Sequence, residues 1–71
     1  MDFYQRKATL TTNTRLFLTA KEKGSIRTWA DFVRSQALEL GVSEKLCLAA
    51  LEIVEPRLTV EEGEIVKKEV E

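Results

Sequence analysis

The sequence predicts a small all-α domain of three helices, spanning about 15–23, 29–40 and 44–55. Three observations carry this expectation. Trp29, Phe32, Val33, Ala37 and Leu40 recur at helical spacing, so one stripe of the middle segment is apolar. Thr28 and Ser43 stand immediately before the second and third segments, where a hydroxyl oxygen can accept a hydrogen bond from an orphan backbone amide. Gly24, Gly41 and Pro56 then follow the three segments as natural stops.

The first segment, "MDFYQRKATLTTN", reads as an extended arm or short strand over 1–13, because Thr9, Thr11 and Thr12 are β-branched and favour extended backbone. In "TRLFLTAKEKG", Asn13 or Thr14 can cap a helix, and Leu16, Phe17 and Ala20 fall on one side of it. Lys21 and Lys23 suit the negative end of its dipole. The helix over 29–40 opens on Thr28 and Asp31, a capping box with a shortened acid; Arg27, Arg34, Gln36 and Glu39 mark its wetter faces. The helix from Glu44 is apolar on nearly every side, with a packed stripe expected at Leu46, Ala50 and Ile53/Val54. The acidic stretch 56–71 reads as a frayed or helical tail. The alternative is a hairpin of Leu58–Val60 with Ile65–Val70 across "EEGE". The alternative fold class is therefore α+β, with a short N-terminal hairpin or a C-terminal wing.

Seventy-one residues make one domain, which buries only about 60% of the surface its unfolded chain exposes. Hydrophobic content of 44% with 32% charged residues favours a globule over a disordered chain. The longest apolar run, Leu46–Leu51, is too short to span a bilayer, and "MDFYQRKATL" has no signal-peptide core. With Cys47 as its one cysteine, the chain is expected in a reducing cytoplasm and without a membrane partner. Net charge is −1 but uneven. Residues 1–36 carry seven Lys/Arg against three Asp/Glu, and residues 37–71 carry four against nine. That asymmetry suggests two faces with different electrostatic preferences.

Catalysis is not expected. There is no histidine, so Ser-His and Cys-His nucleophile pairs are excluded. One cysteine and no calcium-loop spacing leave no metal site, and Gly24, Gly41 and Gly63 are too far apart to form a phosphate cradle. No cofactor is implied. Cys47, mid-helix among apolar neighbours, reads as a packed, inert thiol.

The segment Val33–Glu52 resembles the helix-turn-helix motif of small phage and bacterial regulators. Ala37, Gly41 and Cys47 stand where that motif wants a small residue, a turn glycine and an apolar residue. The resemblance implies that Ser43, Glu44, Lys45, Leu48, Ala49 and Glu52 face outward from the second helix of the pair. One cation against two carboxylates suits phosphates poorly, since DNA affinity rests mainly on Lys and Arg. In size, charge layout and helix pair, the chain also looks like phage-encoded regulators that attach to host transcription machinery, bacterial RNA polymerase included.

The expected function is accordingly a small non-enzymatic regulator that binds a larger protein and acts by occupancy. Its expected contact residues are the aromatic-basic arm Phe3, Tyr4, Arg6 and Lys7, with Arg15, Arg27 and Arg34, and an uncovered apolar pair, Leu48 and Leu51. One alternative is a dimeric DNA-binding repressor using Ser43, Lys45, Ala49 and Arg34. Another is an assembly subunit, in which the Leu48/Leu51 face is a homodimer or oligomer seam.

Overall fold

The computed structural model describes residues 1–69. Three helices, α1 (Phe3–Glu22), α2 (Trp29–Leu40) and α3 (Glu44–Val54), precede two strands, β1 (Leu58–Glu61) and β2 (Glu64–Lys67). The strands form an antiparallel hairpin with Leu58 opposite Lys67 and Val60 opposite Ile65. The molecule is thus a helical domain with a short C-terminal hairpin, the α+β alternative rather than the purely α fold. No helix among the described residues is long and apolar enough to cross a membrane.

The N-terminal segment corrects the expectation of an extended arm over 1–13. It is helical from Phe3, and the helix expected at 15–23 is only the second half of α1. Asp2 caps it: the Gln5 amide donates to Asp2 Oδ1 at 2.8 Å, and the Asp2 amide donates to Gln5 Oε1 at 2.9 Å. Two of the helix's threonines are reconciled with it through their hydroxyls, Thr11 donating to the Lys7 carbonyl and Thr14 to that of Leu10. Asn13 and Thr14, read as caps, are helix interior; Thr14 is fully buried and Asn13 reaches across to α2. Leu10, Thr14 and Phe17 form the buried stripe, which leaves Leu16 exposed, contrary to the stripe read from Leu16 and Ala20.

The second helix follows its local signals closely. The Asp31 amide donates to Thr28 Oγ1 and the Thr28 amide to Asp31 Oδ2, the expected box. Hydrogen bonding of the carboxylate by the Thr28 amide first, and by the Thr28 hydroxyl second, holds the Asp31 carboxyl below its ordinary value. Its contribution to the cap is therefore present at neutral pH and fades only as pH falls through that lowered value. Gly41 ends the helix at φ 68°, left-handed geometry that a side chain disfavours, with its amide donating to the Ala37 carbonyl. Gln36, expected on a wet face, is buried and accepts from Asn13 Nδ2 at 2.8 Å. Ala37, expected in the apolar stripe, is exposed.

In α3 the Leu46 amide donates to Ser43 Oγ at 3.2 Å, and the helix ends at Val54, ahead of Pro56. Its buried residues are Cys47, Ala50 and Leu51, with Leu46 and Val54 half-buried and Ile53 exposed. The packed side is rotated from the Leu46–Ala50–Ile53 stripe because α1 and α3 pack extensively along one another.

Around these helices the core is Leu10, Phe17, Trp29, Phe32, Val42, Cys47, Ala50 and Leu51. Phe17, Trp29 and Phe32 form one aromatic cluster, with centroid separations of 4.7 Å between the two phenyl rings and 5.4 Å between Trp29 and Phe32. Leu58, Val60 and Ile65 of the hairpin pack on its edge.

The hairpin replaces the frayed or helical tail expected over 56–71; Val70, placed in its second strand from the sequence, lies outside the described residues. Local chemistry explains it: Pro56 stops α3, and "LTVE" and "EIVK", with β-branched Thr59, Val60, Ile65 and Val66, flank a two-residue turn. Both turn residues, Glu62 at φ 52° and Gly63 at φ 80°, are left-handed. Glu pays a steric cost there that Asn largely avoids. Glu62→Asn is expected to stabilise the fold by about 0.5–1 kcal/mol, a rise of roughly 2–8 °C in Tm, measured by circular dichroism. An unchanged or lowered Tm would contradict this turn geometry.

Candidate functional site

Two surfaces carry the residues singled out from the sequence. The first is the start of α1. One cleft is lined by the last turn of α1 (Leu18, Lys21, Glu22) and by residues just after α3 (Glu55, Pro56, Arg57), so the C-terminal ends of these helices lie together. At 1.5 Å per residue, the 20-residue α1 is about 30 Å long and the 11-residue α3 about 16 Å. The first turns of α1 therefore project past α3, and no side chain before Leu10 is fully buried.

Phe3 and Tyr4 meet edge to face at 5.8 Å on this projection, and both are exposed. Lys7 is exposed beside them, while Arg6 is half-buried with its Nε lacking a hydrogen-bond partner. Among the described residues the ion pairs are Arg57–Glu55 at 2.9 Å and Lys68–Glu52 at 4.0 Å, so Arg6, Lys7 and Arg15 face no carboxylate at ion-pair distance. Arg15 is exposed further along α1, eleven residues from Tyr4 and on the same side at 3.6 residues per turn.

Arg27 and Arg34 are not part of this surface. Arg27 donates to Ser35 Oγ at 3.1 Å and lines a shallow groove of about 240 Å³ with Asn13 and Leu16. Asn13 is ten residues beyond Phe3, roughly 15 Å of helix. Arg34 is exposed on α2.

The second surface is the outer side of α3. Glu44, Lys45, Leu48, Ala49, Glu52 and Ile53 are all exposed, and so is Ser43 at the cap. Lys45 is the one cation on the helix itself against Glu44 and Glu52, and Lys68 reaches Glu52 from beyond the hairpin at 4.0 Å. The hairpin tip adds Glu61, Glu62 and Glu64, all exposed. Leu51 does not belong to this side: it is 1% exposed, whereas Leu48 is 37% exposed. The expected Leu48/Leu51 contact pair is thereby corrected. Leu51 lies in the core, and an assembly seam on this face would rest on Leu48 and Ile53 instead.

Sequence reasoning missed other exposed apolar residues, notably Ile26 at 93% and Leu38 at 83%. The phase of Leu10, Thr14 and Phe17 could have exposed Leu16 as outward, had the helix been started at Asp2. Nothing local marks Ile26.

Burial, and secondarily the Glu44 carboxylate, push the Cys47 thiol up, which suits a packed rather than a nucleophilic sulfur. No group of three or more His, Cys, Asp or Glu side chains is placed to hold a metal ion among the described residues. Compared with known proteins, the chain matches no family model, no curated sequence and no solved structure.

Proposed function

We propose that this chain is a small non-enzymatic regulator that acts by binding a larger protein and occupying part of its surface. One observation carries the reading. The surfaces that a helix-turn-helix protein with a following hairpin would turn toward DNA, the outer side of α3 and the hairpin tip, hold five glutamates against Lys45, with Lys68 reaching Glu52 at their edge, and exposed Leu48 and Ile53. Such a surface repels phosphates and offers apolar area to another polypeptide. The projecting start of α1 supplies what tight protein contacts favour, exposed aromatics beside cations. Bacterial RNA polymerase is the partner that the analogy with phage-encoded regulators suggests; that choice rests on size and charge layout alone.

A pull-down from bacterial lysate tests it, with recovered proteins identified by mass spectrometry. The expected result is one large complex containing polymerase subunits, reduced at least ~tenfold by Arg6→Glu combined with Lys7→Glu. Undiminished capture by that variant would remove α1 from the interface. Salt-sensitive retention on duplex DNA, lost on Lys45→Glu, would instead favour the repressor reading through Ser43, Lys45 and Ala49.

A further inference from the structure

At the opposite end of α1 lies a cleft of about 700 Å³ between its last turn and the base of the hairpin. A cleft of this size falls in the range that holds small ligands and short peptide segments. Leu18, Leu58 and Ile65 give it an apolar lining. Lys21, Arg57, Lys67 and Lys68 surround that lining, against two acids, Glu22 and Glu55. Arg57 and Glu55 neutralise one another at 2.9 Å, and the guanidinium hydrogen bond holds the Glu55 carboxyl below its usual value. Lys68 reaches Glu52 of α3 at 4.0 Å, which leaves Lys21 and Lys67 against Glu22, so the rim still keeps a surplus of positive charge on a protein whose overall balance is negative.

A second observation is independent of that charge. The hairpin is a two-stranded sheet, and the Lys68 amide donates to the Arg57 carbonyl at 2.8 Å. In an antiparallel ladder, hydrogen-bonded pairs alternate with pairs whose main-chain groups turn away. The register makes Leu58–Lys67 and Val60–Ile65 the outward pairs. The amides and carbonyls of Ile65 and Lys67 are thus unpaired within the sheet, and both residues line the cleft. Unpaired strand edges are places where an extended segment can add main-chain hydrogen bonds.

We propose that this cleft docks a short extended segment of a partner protein in which acidic side chains flank an apolar one: the apolar side chain sits on Leu18, Leu58 and Ile65, the acids meet Lys21, Lys67 and Lys68, and the backbone pairs with Ile65 and Lys67. The cleft is separate from the start of α1 and meets the outer side of α3 only where Lys68 reaches Glu52 at 4.0 Å, so this inference does not depend on the function proposed above. A second copy's acidic hairpin tip would satisfy the charge. Its flanking Val60 and Ile65, however, already pack on their own core and leave that tip no free apolar side chain to insert.

The test titrates isotope-labelled full-length protein with a pool of capped eight-residue peptides, each with two leucines among glutamates, and reads amide shifts and exchange by NMR. A pool with glutamine in place of glutamate, and decanoate, are run alongside. The expected result is saturable shifts at Leu18, Lys21, Ile65 and Lys67, with slowed exchange of the Ile65 and Lys67 amides. Binding should weaken at least ~tenfold in the glutamine pool, and by a similar factor in Lys67→Glu combined with Lys68→Glu. Both lysines are exposed, so that variant should keep its melting temperature; Lys21→Gln is the second variant should it not. Absent shifts, equal binding of the glutamine pool, equal binding of decanoate, or shifts confined to the outer side of α3 would each overturn the proposal. So would concentration-dependent shifts at the cleft without any peptide, which would assign it to a second copy.

Discussion

Phe32→Ala is expected to bring the chain close to its unfolding midpoint at 25 °C. Phe32 is 2% exposed and stacks on Phe17 at 4.7 Å and on Trp29 at 5.4 Å, so it joins α1 to α2 from the centre of the core. Truncating a buried phenylalanine costs about 3–5 kcal/mol, the sum of lost transfer energy and the cavity left behind. Small domains sit near the lower end of natural stabilities, at roughly 5 kcal/mol, so the loss consumes most of the margin. Far-ultraviolet circular dichroism and urea titration read the outcome. Phe32→Leu, which keeps most of the volume, should stay folded with a lowered midpoint. A Phe32→Ala protein that melts within a few degrees of the parent would show that the aromatic cluster is not what holds α1 against α2.

Leu51→Asp and Leu48→Asp should part sharply, although the two leucines lie three residues apart on one helix. At position 51 a carboxylate would be buried in the apolar core, at a cost of several kcal/mol, and the chain should unfold at neutral pH. At position 48 the carboxylate reaches solvent, and the change in stability should stay within about 1 kcal/mol. Leu48→Asp should still weaken capture of the partner if the outer side of α3 is part of the interface, which makes it the better probe of function. Equal stability of the two variants would mean that Leu51 does not lie in the core.

These leucines show why part of the candidate site was legible and part was not. Both are large and apolar on a helix that is apolar almost all round, so composition alone could not say which side is covered. The decision came from α1, whose first half was read as extended. Threonine-rich composition argued against helix there, but the Asp2–Gln5 capping box and the burial of Leu10 against α3 outweighed that local preference. The same misreading put Leu16 inside and turned Phe3 and Tyr4 into a loose arm rather than the end of a rigid helix. By contrast, Ser43 and Lys45 lie outward as the helix-turn-helix template implies, because a cap and the first turn behind it depend on few distant contacts. The cationic cleft was invisible for a further reason: Lys21 and Lys67 are 46 positions apart in the chain, and only the return of the hairpin onto α1 brings their elements together.

The bounds of α2 and α3, their caps at Thr28 and Ser43, their stops at Gly41 and Pro56, and the lack of any histidine for catalysis were determined by the sequence alone. Each rests on covalent identity or on interactions within about four residues. Which side of each helix is buried, whether the first thirteen residues are helical, and that the acidic C-terminal stretch returns as a hairpin were decided only by tertiary packing. Those outcomes depend on apolar surface meeting apolar surface across long chain separations, and no local propensity specifies such meetings.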